Sequence, residues 1–274
     1  MPRPRVIAVH SGMLSDVNVA MRETLTSNCR SAGMQVVTYD PRSEILPDVL
    51  ICLGGDGTML AVAVDAARKG IVLGGINTGH LGFLTTCSRN NIPGLVASLK
   101  DGSFTVENRA LLQVAHRVSG RVKNTSYALN ELSLMRAQTG RMIDVDVELN
   151  GRMLNQYHAD GILVATPTGS TAYSLSAGGP LLWPSAGVVS LTPVCPHSLT
   201  SRPIVLPDTL EIKLRPCARR GRLEESIIYS IDGQSTHPIN VNETLTVKRA
   251  DMQLKLLTLP NSDYASRLRA KMGW

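Results

Sequence analysis

Aromatic residues are scarce in this sequence, with two Phe, two Trp and six Tyr among 274 residues. Proteins that grip single-stranded nucleic acid stack bases on aromatic rings, so a chain this poor in rings is not built for that task. Charge of one sign is not abundant either. Lys plus Arg exceed Asp plus Glu by 28 − 22 = 6, a mild basic excess that suits anionic small molecules and is too weak to indicate nucleic acid. No apolar run is long enough to cross a bilayer, and Met1 to Val9 has basic residues but no apolar stretch of signal-peptide length. The five cysteines, Cys29, Cys52, Cys87, Cys195 and Cys217, are odd in number and lack C-x-x-C spacing. They read as reduced thiols, and the expected compartment is the cytoplasm, with no membrane partner. In that compartment the sequons at Asn124 and Asn242 carry no meaning. No His, Cys or carboxylate cluster has structural-metal spacing. Two nucleotide signatures are also missing: G-x-x-x-x-G-K-[ST], so ATP is not held by a Walker loop, and G-x-G-x-x-G, so no ordinary dinucleotide-binding fold is expected.

What remains is a chain with 43% hydrophobic residues and a mean hydropathy of +0.03, enough to bury a substantial core in one large or two modest domains. It is organised around one stretch. Val49 to Leu53 is an apolar run of strand length; Gly54 and Gly55 stop it, Asp56 follows, and Gly57 opens a run of helix formers. Strand, turn and helix in that order offer free N–H groups to anionic oxygens, and glycines let a phosphate come close to the backbone. An acid in such a turn needs a chemical reason. Asp56 is placed either to accept a proton from a hydroxyl or to hold a divalent metal beside phosphates.

In chain order, strands are expected at Arg5 to His10, Gln35 to Tyr39, Val49 to Leu53 and Ile71 to Gly75. Helices are expected at Asp16 to Cys29, capped by Ser15 or Asp16, at Thr58 to Lys69 and at Ile92 to Lys100. Such alternation argues for an α/β domain with a mainly parallel sheet over residues 1–103, ligands binding at the carboxyl ends of its strands. The block Asn77 to Leu84 follows the fourth strand and falls at that edge. From 104 to 252 the grammar changes to short alternating strands and turns, the mark of an all-β domain of two packed sheets. Expected strands are Phe104 to Glu107, Leu111 to Val118, Ser126 to Arg136, Met142 to Leu149, Gly161 to Ala165, Gly187 to Thr192, Thr209 to Leu214, Ser226 to Ile231 and Thr244 to Lys248. Asn150-Gly151 is a hairpin signal, and Asp144, Asp146 and Glu148 read as a solvated strand face. Arg219, Arg220 and Arg222 read as a hairpin tip. A final helix, Ser262 to Lys271, lies in a segment 253–274 expected to pack back on the first domain.

Gly-Gly-Asp-Gly occurs in phosphofructokinase-like and diacylglycerol kinase-like enzymes, but four further blocks stand with it here. Asn77 to Leu84, Asn130 to Ser133, Asp160 to Pro180 and Pro196 to Val205, together with Gly54 to Gly57, closely resemble the NAD kinases over nearly the whole chain. The resemblance implies the NAD kinase and diacylglycerol kinase-like α/β fold. It also implies phosphoryl transfer from ATP, or in some members polyphosphate, to the 2′-hydroxyl of the adenosine ribose of NAD, giving NADP. Mg²⁺ would travel with ATP. By the same resemblance Asp56 takes the proton of that hydroxyl, and Gly54, Gly55, Gly57 and Asn77 belong to the phosphate and nucleotide site. Asn130 and Glu131 hold the adenine and ribose hydroxyls, and Asp160 binds the nicotinamide end or a second nucleotide. Arg141 and His158 match positions that meet phosphate or nicotinamide. Thr171, Ala172, Tyr173, Ser174, Leu175 and Ser176 line the adenosine, and Gln234 makes a late contact to substrate. A homodimer or homotetramer is implied, built through the β domain with sites that borrow residues across the interface.

Overall fold

A computed structural model describes residues 2–12, 16–79, 82–137, 141–217, 227–260 and 262–274. Ser15, Arg219, Arg220 and Arg222, singled out above, lie outside the described residues, as do His80 and Leu81 of the Asn77 to Leu84 block. The chain divides into one compact unit of residues 1–109 and 252–274 and a second of residues 110–251.

The first unit begins with β1 (Val6–Ser11), α1 (Asp16–Ser31), β2 (Gln35–Thr38), β3 (Val49–Leu53), α2 (Asp56–Lys69), β4 (Val72–Asn77), β5 (Cys87–Ser88) and α3 (Ile92–Asp101). The strands pair in parallel in the order β4-β3-β1-β2, with Leu53 opposite Ile76 and Ser11 opposite Leu53 at the carboxyl edge. Every residue of β3 is buried, as a central parallel strand covered on both faces requires. On α2 the buried positions Met59, Val62, Ala63, Ala66 and Ala67 fall on one face at helical spacing. Its C-terminus is closed by Gly70 at φ +67°, whose N–H reaches Ala66 and Ala67 carbonyls. Asp56 itself opens α2, two residues before the helix start expected at Thr58, because Gly55 already takes the extended N-cap conformation.

The chain passes along β6 (Thr105–Val118) into the second unit: β7 (Arg121–Ala128), β8 (Glu131–Arg136), β9 (Ile143–Leu149), β10 (Arg152–Ala159), β11 (Gly161–Ala165), α4 (Tyr173–Ser176), β12 (Val188–Val194), β13 (Ile204–Pro207), β14 (Ile212–Cys217), β15 (Ile227–Ile231) and β16 (Ser235–Ile239). β17 (Thr244–Thr258) then leads back and α5 (Tyr264–Met272) ends the chain. One sheet of the second unit runs β13-β12-β11-β8-β15-β16 and another contains β10-β9-β14-β17, all antiparallel. Apolar residues of the two sheets, among them Leu132, Leu134, Ile162 and Tyr229 facing Val145, Val147, Leu214 and Val247, form one core. The α/β and two-sheet β architecture is the one expected. In the first unit the last part of β17 adds a further parallel strand, Lys255 opposite Val72, and Leu257 and Leu259 join its core. There α5 is held by Arg267, which donates to the Phe83 carbonyl at 2.7 Å, and by Tyr264 against the Phe83 ring.

Four expectations need correction. Phe104 to Glu107 and Leu111 to Val118 form the single strand β6, and β17 runs to Thr258 where Lys248 was expected to end it. Ser126 to Arg136 is two strands, because the chain turns a corner at Leu129-Asn130 and those residues bond to side chains instead of a ladder. Asp144, Asp146 and Glu148 are not a solvated face. Register sets His158 and Gln156 on β10, and Arg215 and Lys213 on β14, opposite them, and each acid is paired.

Candidate active site

The turn after β3 is shaped by what its glycines exclude. Gly54 takes φ +150°, and a Cβ there would fall 2.3 Å from Thr58 Oγ1. At Gly55 and Gly57, by contrast, a Cβ would meet nothing within 4 Å, so open space lies beside the first N–H groups of α2. That space suits phosphate. Half-buried Asp56 does not point freely into it. Its Oδ2 accepts the Phe83 N–H at 2.8 Å and its Oδ1 the Leu84 N–H at 3.0 Å. Gly82 makes the approach possible, since a Cβ there would sit 2.0 Å from Asp56 Oδ1. A carboxylate accepts about four hydrogen bonds, so two amides fix its orientation and leave acceptor capacity. Asn77 closes β4 at 3% exposure and receives the Gly79 N–H at 2.6 Å.

In the second unit Asn130 and Glu131 stand at the corner before β8. The carboxylate of Asp232, from the β15–β16 hairpin, accepts the N–H groups of Leu129, Asn130 and Glu131 at 2.8, 2.7 and 3.0 Å. Gly169 abuts the same corner; a Cβ on it would lie 2.2 Å from the Asn130 carbonyl oxygen. Glu131 is 7% exposed, and its Oε2 is buried with no hydrogen-bond partner among the described residues. An orphaned buried carboxyl oxygen costs stability and marks a place for a donor from outside the protein. Burial, and then the charge of Asp232, push the Glu131 carboxyl up to about 7. Burial raises Asp232 as well, and the N–H groups of Leu129, Asn130 and Glu131 oppose it there.

Thr171 to Ser176 form a tight turn and the short helix α4. Tyr173 and Ser176 are exposed, and Thr171, Ala172 and Leu175 are half-buried. Ser174 is fully buried, its hydroxyl beside Ser190 and Thr192 of β12 at 3.4 and 3.3 Å. Asp160 and His158 form a separate group. Asp160 pairs with Arg136 at 2.8 Å and His158 with Asp144 at 2.7 Å, the His158 ring lying against His197. β11 sets Ala165 opposite Glu131 and Gly161 opposite Met135, so Asp160, just before β11, and Glu131, at the start of β8, are at opposite ends of this strand pair, about 16 Å apart at the usual rise. Arg141 is exposed beyond residues 138–140, and Gln234 is exposed on the β15–β16 hairpin.

Residues 15–104 match the ATP-NAD kinase N-terminal domain and residues 129–259 the ATP-NAD kinase C-terminal domain. The sequence is 38% identical over 229 residues to the NAD kinase of Flavobacterium psychrophilum and 40% identical over 227 residues to that of Bacteroides fragilis, each match covering 83% of this chain and 76% of the relative. The chain belongs to the NAD kinase family. Its fold is similar to that of yeast NADH kinase complexed with NADH (TM-score 0.88, 21% identity, covering 100% of this chain and 89% of that one). It is also similar to an NAD kinase from Archaeoglobus fulgidus in complex with ATP (TM-score 0.77, 24% identity, 98% of each chain). The activity of this NAD kinase is phosphoryl transfer from ATP to NAD, giving NADP.

Within that family reading, the sequence directed attention to Gln234 while its neighbour Asp232 holds the corner, and to Asp56 but not to the Gly82 and Arg267 that frame it. For Asp232 a signal existed. Asp-Gly at a hairpin tip supplies positive φ, yet a buried strand end beside it raises the question of what the carboxylate binds.

Proposed function

We propose that Asp56 is the proton acceptor of this NAD kinase. It takes the proton of the adenosine 2′-hydroxyl as that oxygen bonds to the γ-phosphorus of ATP and the bond to the β–γ bridging oxygen breaks, releasing ADP. The observation that carries this reading is a carboxylate fixed by two amides at the mouth of an open glycine turn on a helix N-terminus. A base so placed contributes about 10² to 10⁴-fold. Phosphates occupy the turn of Gly54, Gly55 and Gly57 and reach Asn77. Glu131 and Asn130 take the ribose hydroxyls and adenine, with Thr171, Ala172, Tyr173, Leu175 and Ser176 alongside; Ser174 supports them from beneath. Asp160 serves the nicotinamide end or a second nucleotide, His158 and Arg141 meet phosphate or nicotinamide, and Gln234 makes a late contact to substrate.

A divalent cation, Mg²⁺ by the chemistry of ATP, enters with the donor as part of the substrate. Among the described residues no three of His, Cys, Asp and Glu group as a ligand set. We also place the protein in the cytoplasm, which its unbridged cysteines support; no described helix is long and apolar enough to cross a membrane. A homodimer or homotetramer is supported by β10, a sheet-edge strand exposing Met153 and Leu154.

The test is incubation of pure protein with NAD, ATP and Mg²⁺, with polyphosphate as alternative donor and a diacylglycerol and a hexose phosphate as control acceptors. NADP formation with neither control phosphorylated is expected. Binding of NAD without turnover would make the protein a dinucleotide sensor, and a phosphorylated control would make it a lipid or sugar kinase.

A further inference from the structure

We infer that Asp232 is a positioning residue, whose carboxylate takes the backbone N–H groups of the Asn130–Glu131 corner and so sets the two side chains to read the dinucleotide. The inference rests on the reading of Asn130 and Glu131 as NAD-binding groups.

It follows from a full accounting of the backbone at Leu129, Asn130 and Glu131, which has three N–H groups and three carbonyls. Asp232 takes all three N–H groups, Leu129 on Oδ2 and Asn130 and Glu131 on Oδ1. Its own N–H donates to the Glu131 carbonyl at 3.0 Å. The other two carbonyls go to Thr166, whose hydroxyl donates to Leu129 O at 2.5 Å and whose N–H donates to Asn130 O at 2.9 Å. Two residues therefore satisfy six backbone groups, and none of the three N–H groups is free for a ligand. In the same corner Glu131 Oε2 has no partner among the described residues. A backbone locked by protein groups and a buried side-chain acceptor left open is the arrangement a preorganised binding site needs.

The residue type is demanded twice. Asp232 and Gly233 lie at φ +51° and +66°, the hairpin conformation that Asn, Asp and Gly adopt with least strain. Asn would satisfy that backbone, but it has one acceptor oxygen where Asp has two, and the Leu129 N–H would lose its partner. The second consequence is electrostatic. Of the strands flanking β8, β11 sets Ala165 opposite Glu131 and β15 ends at Ile231, opposite Leu132, with Asp232 next in the chain, so Asp232 is the titratable group these strands bring to Glu131. Its negative charge adds to burial in keeping Glu131 protonated up to about 7. An ionised Glu131 accepts from hydroxyls through both oxygens, so NAD binding tightens as pH rises through that value.

Steady-state kinetics between about pH 6 and 8.5 with NAD and ATP varied separately test this in Asp232→Asn, with Asp232→Gly as a second variant that suits the positive φ. Both are expected to raise the KM for NAD roughly tenfold, leave the KM for ATP within about twofold, and move the pH at which the NAD KM falls to lower pH. Asp232→Glu, which restores the charge, is expected to return the pH dependence toward wild type. Mere loss of folded protein would lower turnover without moving either KM or that pH. An unchanged NAD KM in the Asp232 variants, with Glu131→Gln raising it, overturns the positioning role and leaves the nucleotide reading standing. An unchanged NAD KM in Glu131→Gln overturns that reading, and the positioning role with it.

Discussion

Asp56 Oδ2 accepts the backbone N–H of Phe83 at 2.8 Å, across 27 residues of sequence. The loop between β4 and β5 thereby holds the acid that opens α2, and Gly82, next to Phe83, supplies the room. A methyl group at position 82 has no space beside Asp56 Oδ1, 2.0 Å away. Gly82→Ala is expected to displace the carboxylate. A misplacement of about 1 Å at a reacting group costs about 10²-fold, so kcat should fall by that order while circular dichroism stays native. Near-wild-type turnover in Gly82→Ala contradicts the clamp.

Arg267 holds the other side of the same loop. At 5% exposure it donates to the Phe83 carbonyl and to Ser262 Oγ, at 2.7 and 3.0 Å. Burial and the nearby Arg109 lower its pKa, and Glu107, Asp56 and Asp263 work in the opposite direction. Arg267→Met is expected to cost about 1–3 kcal/mol in urea unfolding by leaving the part-buried Phe83 carbonyl without this donor, and to lower kcat through the loosened loop. Unaltered stability contradicts it.

Glu131 carries a stability penalty that depends on pH. Its carboxyl is raised from 4.5 to about 7 by burial and by Asp232, so between these values the folded chain keeps a proton that the unfolded chain has released. Stability is therefore whole below about pH 4.5, falls across the window, and stays lowered above it, by about 3 kcal/mol. Glu131→Gln cannot ionise. It should match wild type in melting temperature near pH 4.5 and exceed it at about pH 8; the same difference at both pH values contradicts the burial of an ionisable group here.

His158 is oriented by Asp144 at 2.7 Å and lies 5.6 Å, centroid to centroid, from the His197 ring. With His158 beside the nicotinamide, His158→Ala is expected to change the ratio of NAD to NADH turnover. An unchanged ratio removes His158 from the substrate.

What was legible in the sequence was what neighbours in sequence decide. The β3 run, the glycine turn and the helical spacing from Met59 to Ala67 are local, and each took the form its residues dictate. The contacts that finish the site are distant. Asp232 meets Leu129 across 103 residues and Arg267 meets Phe83 across 184, and no local pattern names the partner of either. The same holds for Asp144, Asp146 and Glu148. Their alternation is that of an exposed strand, and it was the register of β10 and β14, set by the core residues between them, that brought a partner to each acid. β17 was cut short because Lys248, Arg249 and Asp251 interrupt its apolar run, although its later residues pair with β4.

The most direct measurement is the turnover of Asp56→Asn beside its affinity for NAD. Asn keeps the size of the side chain and removes the base. Loss of roughly 10² to 10⁴-fold in kcat, with the NAD dissociation constant from calorimetry within about twofold of wild type, is the predicted result. Turnover close to wild type would mean that some other group takes the proton of the ribose hydroxyl.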